Sequence, residues 1–305
     1  MTPDDQVRAA REGALAVQHP ELGVLVVTGT DRVPWLNGLL TADLVKRGPG
    51  AAVYGLFVGR NGRILADALT VVDDGASRVL LALPGEQLAA LQEHLDHYLV
   101  MEDAAMASDP AGFDVWTVHG PRAGDALAAA LAAGGAGGAL DRTGLGGAVV
   151  LAHAEVQREV AAAIAGVATV GDADGWEALR LERAVPRFGV DFDATTYPQE
   201  AALEKSAVSF DKGCYLGQEV VCMLEMRGHV KRKLVPVVLE ASDPPPRGAE
   251  VKDEAGAPVG EITSAAASPT LGKAVALAMV KRALSEPGKG LEVGGARGEV
   301  VERPA

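Results

Sequence analysis

A strand–turn–helix pattern that occurs twice is the feature that most constrains how this chain folds. In GVLVVTGTDRVPWLNGLL, an apolar run at 24–27 is followed by a glycine turn and by apolar residues at helical spacing over 33–40. In FDVWTVHGPRAGDALAAALAA, an apolar run at 115–118 is followed by a helix that opens near Pro121. Two copies of one unit predict an internally repeated structure of mixed strands and helices.

Three apolar runs lie between the two copies, and they predict strands. They are AAVYGLFV, RILADALTVV and SRVLLAL, separated by the turn sequences GRNG and DDG. The following segment, PGEQLAALQEHLDHYL, carries Leu88, Leu91, Leu95 and Tyr98 at helical spacing after a proline start. The order strand, helix, two or three strands, helix is typical of a split βαβ or ferredoxin-like unit.

Two segments interrupt this pattern further along the chain. LAAGGAGGALDRTGLGGAVV is rich in glycine but has no Lys-Ser or Lys-Thr after it, so it predicts a flexible turn or loop rather than a phosphate-binding loop. The three prolines in SDPPPRGAEV cannot continue a helix or a central strand. Beyond them, short β-rich runs punctuated by glycine and proline favour a small barrel.

The chain is therefore divided into three predicted domains. Residues 1–110 form a ferredoxin-like α+β unit, residues 111–232 form a second α+β unit, and residues 233–305 form a C-terminal β-barrel. At 305 residues the chain is too long for one ordinary core.

Charge and cysteine content narrow the classes of function. Lys and Arg number 28 against 41 Asp and Glu, and the net charge of −13 opposes direct binding of nucleic acid. Two cysteines are too few for a secreted disulfide framework. The first residues lack the features of a secretory or organelle presequence, and no apolar run approaches the ~20 residues of a membrane span. We expect a cytoplasmic protein that does not bind membranes.

The histidines do not predict a metal site. His94 and His97 are three apart on an Ala/Leu-rich helix, where two solvated polar positions are several times commoner than a ligand pair. The chain also lacks the GxSxG and HExxH motifs of hydrolases. We expect no metal ligands and no hydrolase machinery of these types.

Cys214, in the stretch FDKGCYLGQEVV, is a candidate reactive residue. Gly213 and Gly217 allow a tight turn and close approach of a ligand, and helical spacing begins after Gly217. A helix N-terminus and Lys212 would both stabilise a thiolate and hold the thiol pKa below its usual ~8.5. A small buried hydrophobic residue is an equally frequent role for such a cysteine. Cys222, on the apolar side of the following helix, fits that structural role clearly.

Carboxylates stand in two other stretches. Asp67 interrupts an otherwise apolar strand pattern, and Glu182 lies near the end of a predicted helix, before an acidic loop with Asp191 and Asp193. Such residues are usually solvated charges at an edge. The alternative is a concave site in which a carboxylate binds a heterocycle through its amino group and ring N–H.

Taken together, these motifs resemble the folate-binding superfamily of the glycine-cleavage T-protein, and within it the YgfZ-type branch associated with iron–sulfur cluster maintenance. KGCYLGQE is similar to the K-G-C-[YF]-x-G-Q-E signature of that branch. NGRILAD, RLE at 180–182, FGVDFDATTYPQE and GEITSAAASPTLGKAVAL resemble the wider superfamily. The resemblance runs from about Gly23 to Ala278.

The resemblance implies a fold and a ligand. The fold would be α+β, with two interleaved ferredoxin-like units and a small C-terminal β-barrel around a central hole that binds tetrahydrofolate. Glu182 would bind the pterin ring, and Asp67, Tyr215 and Gln218 would be the other residues of the folate site.

The resemblance also implies a role for the signature. Lys212 and Cys214 would be its functional pair, and the partners would be a reduced folate and iron–sulfur client or assembly proteins. Asp67 falls where the aminomethyltransferases of the superfamily keep a catalytic aspartate. A tetrahydrofolate-dependent aminomethyltransferase is therefore the alternative, and a folate-binding scaffold with an inert Cys214 is the second alternative.

Overall fold

A computed structural model of the protein describes residues 1–109, 112–228 and 230–305. The helices in these residues are α1 (Pro3–Glu12), α2 (Arg32–Asn37), α3 (Leu88–Asp96), α4 (Ala123–Ala132), α5 (Gln157–Ala165), α6 (Ala173–Glu182) and α7 (Gln218–Met226). The strands are β1 (Leu15–Gln18), β2 (Leu22–Thr28), β3 (Ala52–Val58), β4 (Ile64–Asp73), β5 (Arg78–Pro84), β6 (Ala105–Asp109), β7 (Phe113–His119), β8 (Ala136–Ala139), β9 (Gly147–His153), β10 (Thr169–Val170), β11 (Arg232–Leu239), β12 (Glu250–Lys252), β13 (Pro258–Ser268), β14 (Lys273–Lys281), β15 (Gly290–Val293) and β16 (Ala296–Val300).

These elements form two compact units, each assembled from separate parts of the chain. The barrel unit comprises Met1–Arg8, Ala173–Glu204 and Val221–Ala305. The sheet unit comprises Ala9–Asp172 and Lys205–Val220. The domain boundaries that we predicted after residues 110 and 232 remain predictions. The first barrel strand, β11, begins at Arg232.

The first sheet of the sheet unit has the strand order β3-β4-β5-β2-β6. Its apolar residues pack against α2 and α3, and Leu36, Leu81 and Leu95 are almost completely buried there. The sequence predicted both helices, but α2 ends at Asn37, with Gly38 as its C-cap, earlier than the apolar pattern suggested. The last carbonyl groups of α2 are therefore available for contacts outside the helix.

The second sheet, β10-β1-β7-β9-β8, shows how the two repeats are interleaved. Strand β1 precedes the whole first sheet in the sequence, yet it pairs antiparallel with β7, with Leu15 opposite His119. Helices α4 and α5 cover one face of this sheet, where Ala126, Val150 and Val160 form the core. The predicted α+β class and the repeated strand–helix units are confirmed.

The glycine-rich segment forms the expected loop only in part, over 140–146, where Gly144 and Gly146 have a positive φ. It contains β8, which pairs with β9, and both Gly137 and Gly138 lie inside that strand. A Cβ atom on Gly138 would lie 2.6 Å from the carbonyl oxygen of Gly50, and one on Gly137 would lie 2.4 Å from that of Val149. Glycine is required here because neighbouring backbone comes close, and not because the segment turns.

The barrel unit closes six strands in the order β11-β14-β13-β12-β15-β16, which confirms the predicted C-terminal barrel. One set of alternating residues fills the interior, including Val237, Ile262 and Ala276. Leu277 belongs to the opposite set, which packs against Leu181 of α6. This contact fixes the end of α6, and with it Glu182, on the barrel. No described helix has the length and apolar character needed to cross a lipid bilayer.

Candidate functional site

Cys214 is exposed to solvent on a loop of the sheet unit. It lies four positions before Gln218, the first residue of α7, so the unpaired N–H groups of the first helical turn belong to later residues. Gly217 adopts a positive φ of 76°, and a Cβ atom there would lie 2.3 Å from the carbonyl oxygen of Gly59. Only glycine fits this position, which directly precedes the first residue of α7.

Hydrogen bonds fasten the loop on both sides of Cys214 to the segment that follows α2. Four bonds of 2.6–2.9 Å join Thr41 Oγ1 to the carbonyl of Ala207, Ser209 N to the carbonyl of Thr41, Lys46 Nζ to the carbonyl of Asp211, and Leu216 N to the carbonyl of Gly38. Because these anchors flank the cysteine, the loop presents an exposed thiol on a fixed backbone.

Lys212 makes a further set of contacts to the same segment. Its side chain is buried, and its Nζ donates to the carbonyl oxygens of Asn37 at 2.6 Å, Leu40 at 2.7 Å and Ala42 at 2.7 Å. Burial lowers the pKa of Lys212 to about 8, against the opposing effect of the Asp43 carboxylate. The side chain is therefore mainly an ammonium ion in neutral solution.

Asp67 lies on β4 and accepts a hydrogen bond of 2.7 Å from Tyr54 Oη. Tyr54 is on the adjacent strand β3, where Leu56 is directly opposite Asp67, so the tyrosine is the diagonal neighbour of the carboxylate. The guanidinium of Arg142 stacks on the ring of Tyr54, 3.8 Å from its centroid. Burial raises the pKa of Asp67, while Arg142 and the Tyr54 hydrogen bond act in the opposite direction.

The loop between β8 and β9 holds Arg142 in this position. The carboxylate of Asp141 accepts hydrogen bonds from the backbone N–H groups of Thr143, Gly144 and Gly146, at 2.7–2.9 Å. This loop is the second half of the glycine-rich segment. The segment therefore provides the arginine that stacks on Tyr54, the hydrogen-bond partner of Asp67. Sequence reasoning missed both Tyr54 and Arg142, although the hairpin register around GRNG places Tyr54 on the same face as Asp67, as its diagonal neighbour.

Glu182 is completely buried in the barrel unit at the end of α6. Its Oε1 accepts hydrogen bonds from Ser268 Oγ at 2.5 Å and Thr270 N at 2.9 Å, and its Oε2 accepts one from Thr270 Oγ1 at 2.8 Å. Both partners lie at the end of β13 or just beyond it. Glu182 is thus a buried, hydrogen-bonded carboxylate and not a solvated charge at an edge.

A buried ion-pair network supports the same helix. Arg180 Nη1 donates to Asp191 Oδ2 at 2.9 Å, and neither side chain is exposed by more than 1%. Asp191 Oδ1 accepts from Thr263 Oγ1 at 2.7 Å and from Ser264 Oγ at 2.5 Å, both on β13. In the acidic loop Asp191 is therefore a buried carboxylate bound to β13, while its neighbour Asp193 is exposed and accepts hydrogen bonds from Thr195 and Thr196 within the loop.

The remaining predicted site residues belong to the Cys214 loop and its surroundings. Tyr215 is buried, with its ring centroid 5.4 Å from the Lys212 ammonium, and Gln218 is half-buried at the start of α7. Among the described residues, no group of three or more His, Cys, Asp or Glu side chains could hold a metal ion. His97 lies exposed and its Nδ1 is 2.7 Å from the carbonyl oxygen of Glu93.

The fold and these residues define an α+β protein that combines interleaved sheets, a closed barrel and an exposed, anchored cysteine. Two family models match it: the GCVT N-terminal domain over residues 3–135 and the glycine cleavage T-protein C-terminal barrel domain over residues 232–304. The N-terminal domain model matches the first part of the chain, and the C-terminal barrel model matches the last part. The chain belongs to the glycine cleavage T-protein superfamily.

The proteins similar to this chain include aminomethyltransferases and an iron–sulfur cluster assembly factor. An aminomethyltransferase from Nostoc sp. (strain PCC 7120) is 28% identical over 314 residues, which cover 93% of this chain and 81% of the relative. The mitochondrial iron–sulfur cluster assembly factor IBA57 from Mus musculus is 29% identical over 236 residues, which cover 72% of this chain and 64% of the relative.

A solved structure has the same fold. The glycine cleavage system aminomethyltransferase T from Bartonella henselae superposes with a TM-score of 0.83, at 20% sequence identity, over 99% of this chain and 89% of that one. At this identity the likeness establishes the architecture alone.

Proposed function

We propose that this protein is a cytoplasmic, tetrahydrofolate-binding member of the YgfZ-type branch, which supports the assembly or repair of iron–sulfur enzymes through Cys214. The observation that carries the proposal is the exposure of Cys214 on a loop that is hydrogen-bonded on both sides. An exposed thiol on a fixed backbone suits exchange with a partner protein, whereas a structural cysteine is normally buried.

The similarity to the assembly factor IBA57 supports this proposal beside the KGCYLGQE signature. A thiolate at Cys214 would ligate a labile cluster, or attack a disulfide of a client protein to form a mixed disulfide while the second sulfur leaves as a thiolate. The clients would be iron–sulfur enzymes or assembly proteins, without direct contacts to nucleic acid.

In the same proposal, Glu182 binds the pterin ring, and Tyr215, Gln218 and Asp67 contribute to the folate site. A carboxylate has about four acceptor positions, and Ser268 and Thr270 already donate three hydrogen bonds to Glu182. A pterin amino group and ring N–H would therefore replace at least one hydroxyl contact when the folate binds. The two hydrogen bonds gained from the pterin would offset the hydroxyl bond that is lost, since both kinds are charge-assisted bonds to the same carboxylate.

The experiment that tests the proposal replaces Cys214 by Ser. We expect the variant to fold, to bind tetrahydrofolate with unchanged affinity by calorimetry, and to fail to restore iron–sulfur enzyme activity in cells that lack the native protein. Serine preserves the size of the side chain but stays protonated at neutral pH, so the change isolates the thiolate.

Cys222→Ser is the matched control, since Cys222 is less exposed and lies inside α7. It should complement fully, and an alkylating reagent should modify Cys214 in the wild-type protein faster than Cys222. Full complementation by Cys214→Ser would reject the role of the thiol, and an absence of tetrahydrofolate binding by the wild type would reject the folate part.

A second candidate function is aminomethyl transfer to tetrahydrofolate, and the Tyr54–Asp67 pair favours it. Burial raises the pKa of Asp67, which brings the carboxyl group closer to the range of a general acid or base. The relatives named aminomethyltransferases agree with this candidate.

With tetrahydrofolate and an aminomethylated lipoyl carrier, we expect ammonia release no faster than the background reaction. Asp67→Asn serves as the comparison, because it keeps an acceptor for Tyr54 Oη but cannot ionise. Release by the wild type that is abolished in Asp67→Asn would establish the transferase as the function in place of our first proposal.

A further inference from the structure

The contacts of Lys212 distinguish it from a lysine that takes part in chemistry. An ammonium group has three N–H donors, and Lys212 Nζ has three backbone carbonyl acceptors at 2.6–2.7 Å, from Asn37, Leu40 and Ala42. The residue is 7% exposed. Its donors are thus matched to acceptors within the protein, and a substrate would have to displace one of these carbonyls to reach it.

The acceptors belong to the end of α2 and to the segment after it. Asn37 is the last residue of α2, where carbonyl groups have no partner inside the helix and carry the negative end of the helix dipole. A cation with three donors in a tetrahedral arrangement satisfies several such carbonyls at once, which the planar fork of an arginine does not. The position therefore requires a lysine for geometric reasons.

We propose that Lys212 is a positioning residue, whose ammonium closes the segment 37–42 and fixes the loop that carries Cys214. The positioning role of Lys212 is inferred from its hydrogen bonds alone. Its importance for activity rests on the proposed function of Cys214. Cys214 then carries out the chemistry that the signature implies, and Lys212 contributes by holding the cysteine loop in place.

Two backbone amides on the loop report on this role directly. Leu216 N donates to Gly38 O and Ser209 N donates to Thr41 O, both at 2.9 Å, on either side of Lys212. If the ammonium holds the loop, its removal should open these two hydrogen bonds locally while the sheets remain protected. Amide hydrogen exchange read at single residues measures that opening without any assumption about activity.

The test compares Lys212→Met with Lys46→Met. Methionine keeps an unbranched stem of similar length but has no donor. Lys46 makes the matched control because it also bonds the loop, through the carbonyl of Asp211 at 2.7 Å, while its side chain is 63% exposed. We expect Lys212→Met to accelerate exchange at Leu216 and Ser209 by at least ~10-fold, and Lys46→Met to change it by less than ~2-fold.

Chemical rescue separates the ammonium from the packing of the stem. Lys212→Ala leaves a space and three unsatisfied carbonyl groups, into which added n-propylammonium should bind and restore slow exchange at Leu216. Tetramethylammonium, which has no N–H donor, should not restore it. Unchanged exchange in Lys212→Met, or equal rescue by both cations, would overturn the proposal.

A complementation assay then distinguishes this inference from the proposed function. We expect Lys212→Met to complement as poorly as Cys214→Ser. If Cys214→Ser complements fully while Lys212→Met still releases the two amides, the proposed function fails and the positioning role stands. If Cys214→Ser fails to complement while Lys212→Met keeps slow exchange and full activity, the positioning role fails and the proposed function stands.

Discussion

Replacement of Asp191 by Ala is expected to lower the free energy of unfolding by about 3 kcal/mol, because the buried Arg180 keeps its hydrogen bonds to Glu177 but loses this carboxylate. Arg180 is completely buried, and the Asp191 carboxylate also accepts hydrogen bonds from Thr263 and Ser264 on β13. The variant would leave these two hydroxyl groups without that acceptor. Urea unfolding monitored by circular dichroism measures the change.

Two variants make this expectation specific to the buried pair. Asp193→Ala removes an exposed carboxylate that bonds Thr195 and Thr196 within the same loop, and its smaller effect should be about 1 kcal/mol. The double variant Arg180→Met/Asp191→Leu removes both charges, and it should be more stable than Asp191→Ala alone. Equal stabilities of Asp191→Ala and Asp193→Ala would show that the network does not support the barrel unit.

The network matters for the candidate site because Arg180 and Glu182 lie on the same helical turn of α6. Asp191 ties this turn to β13 through Thr263 and Ser264, and Glu182 is tied to the end of the same strand through Ser268. Both carboxylates thus fix α6 on one barrel strand. A fixed Glu182 suits recognition of a planar heterocycle, since less conformational entropy is lost on binding.

The sequence predicted those parts of the fold that depend on local patterns. Apolar runs at 24–27 and 115–118 became β2 and β7, and the β-rich C-terminal runs became a closed barrel. These runs are short, apolar and bounded by turn residues, which is a local signal of a buried strand. The position of Asp67 inside a strand was predicted for the same reason.

Contacts between distant segments could not be predicted in this way. Asp191 and Asp193 stand two residues apart in one acidic loop, and only the approach of β13 makes the first of them structural. The stacking of Arg142 on Tyr54 depends on a strand made possible by Gly137 and Gly138. In each case the residue's contact partner comes from another sheet or from the barrel. The local sequence pattern therefore does not reveal the contact.

A buried histidine pair in the sheet unit makes the stability of the protein depend on pH. His119 Nε2 and His19 Nε2 lie 2.9 Å and 2.8 Å from Thr117 Oγ1, so one hydroxyl group lies between the two rings. His119 is 2% exposed. Burial lowers the pKa of His119 to about 3, the His19 and Arg142 side chains act in the same direction, and Asp141 opposes them.

The sign of the effect follows from the protons bound in each state. The unfolded chain binds a proton at His119 as the pH falls through about 6.5, whereas the folded protein does not do so until about pH 3. The contribution to stability is complete above pH 6.5 and is lost progressively as the pH falls toward 3. The total loss at low pH is on the order of 5 kcal/mol.

We therefore expect the free energy of unfolding to decrease by about 1.4 kcal/mol more in the wild type than in His119→Gln between pH 7.5 and 5.5. Glutamine can keep a contact with Thr117 Oγ1 but does not titrate, so the difference between the two slopes isolates this one proton. Parallel slopes for the wild type and His119→Gln would mean that the folded protein accepts a proton at His119 as readily as the unfolded chain, which its burial between the sheet strands opposes.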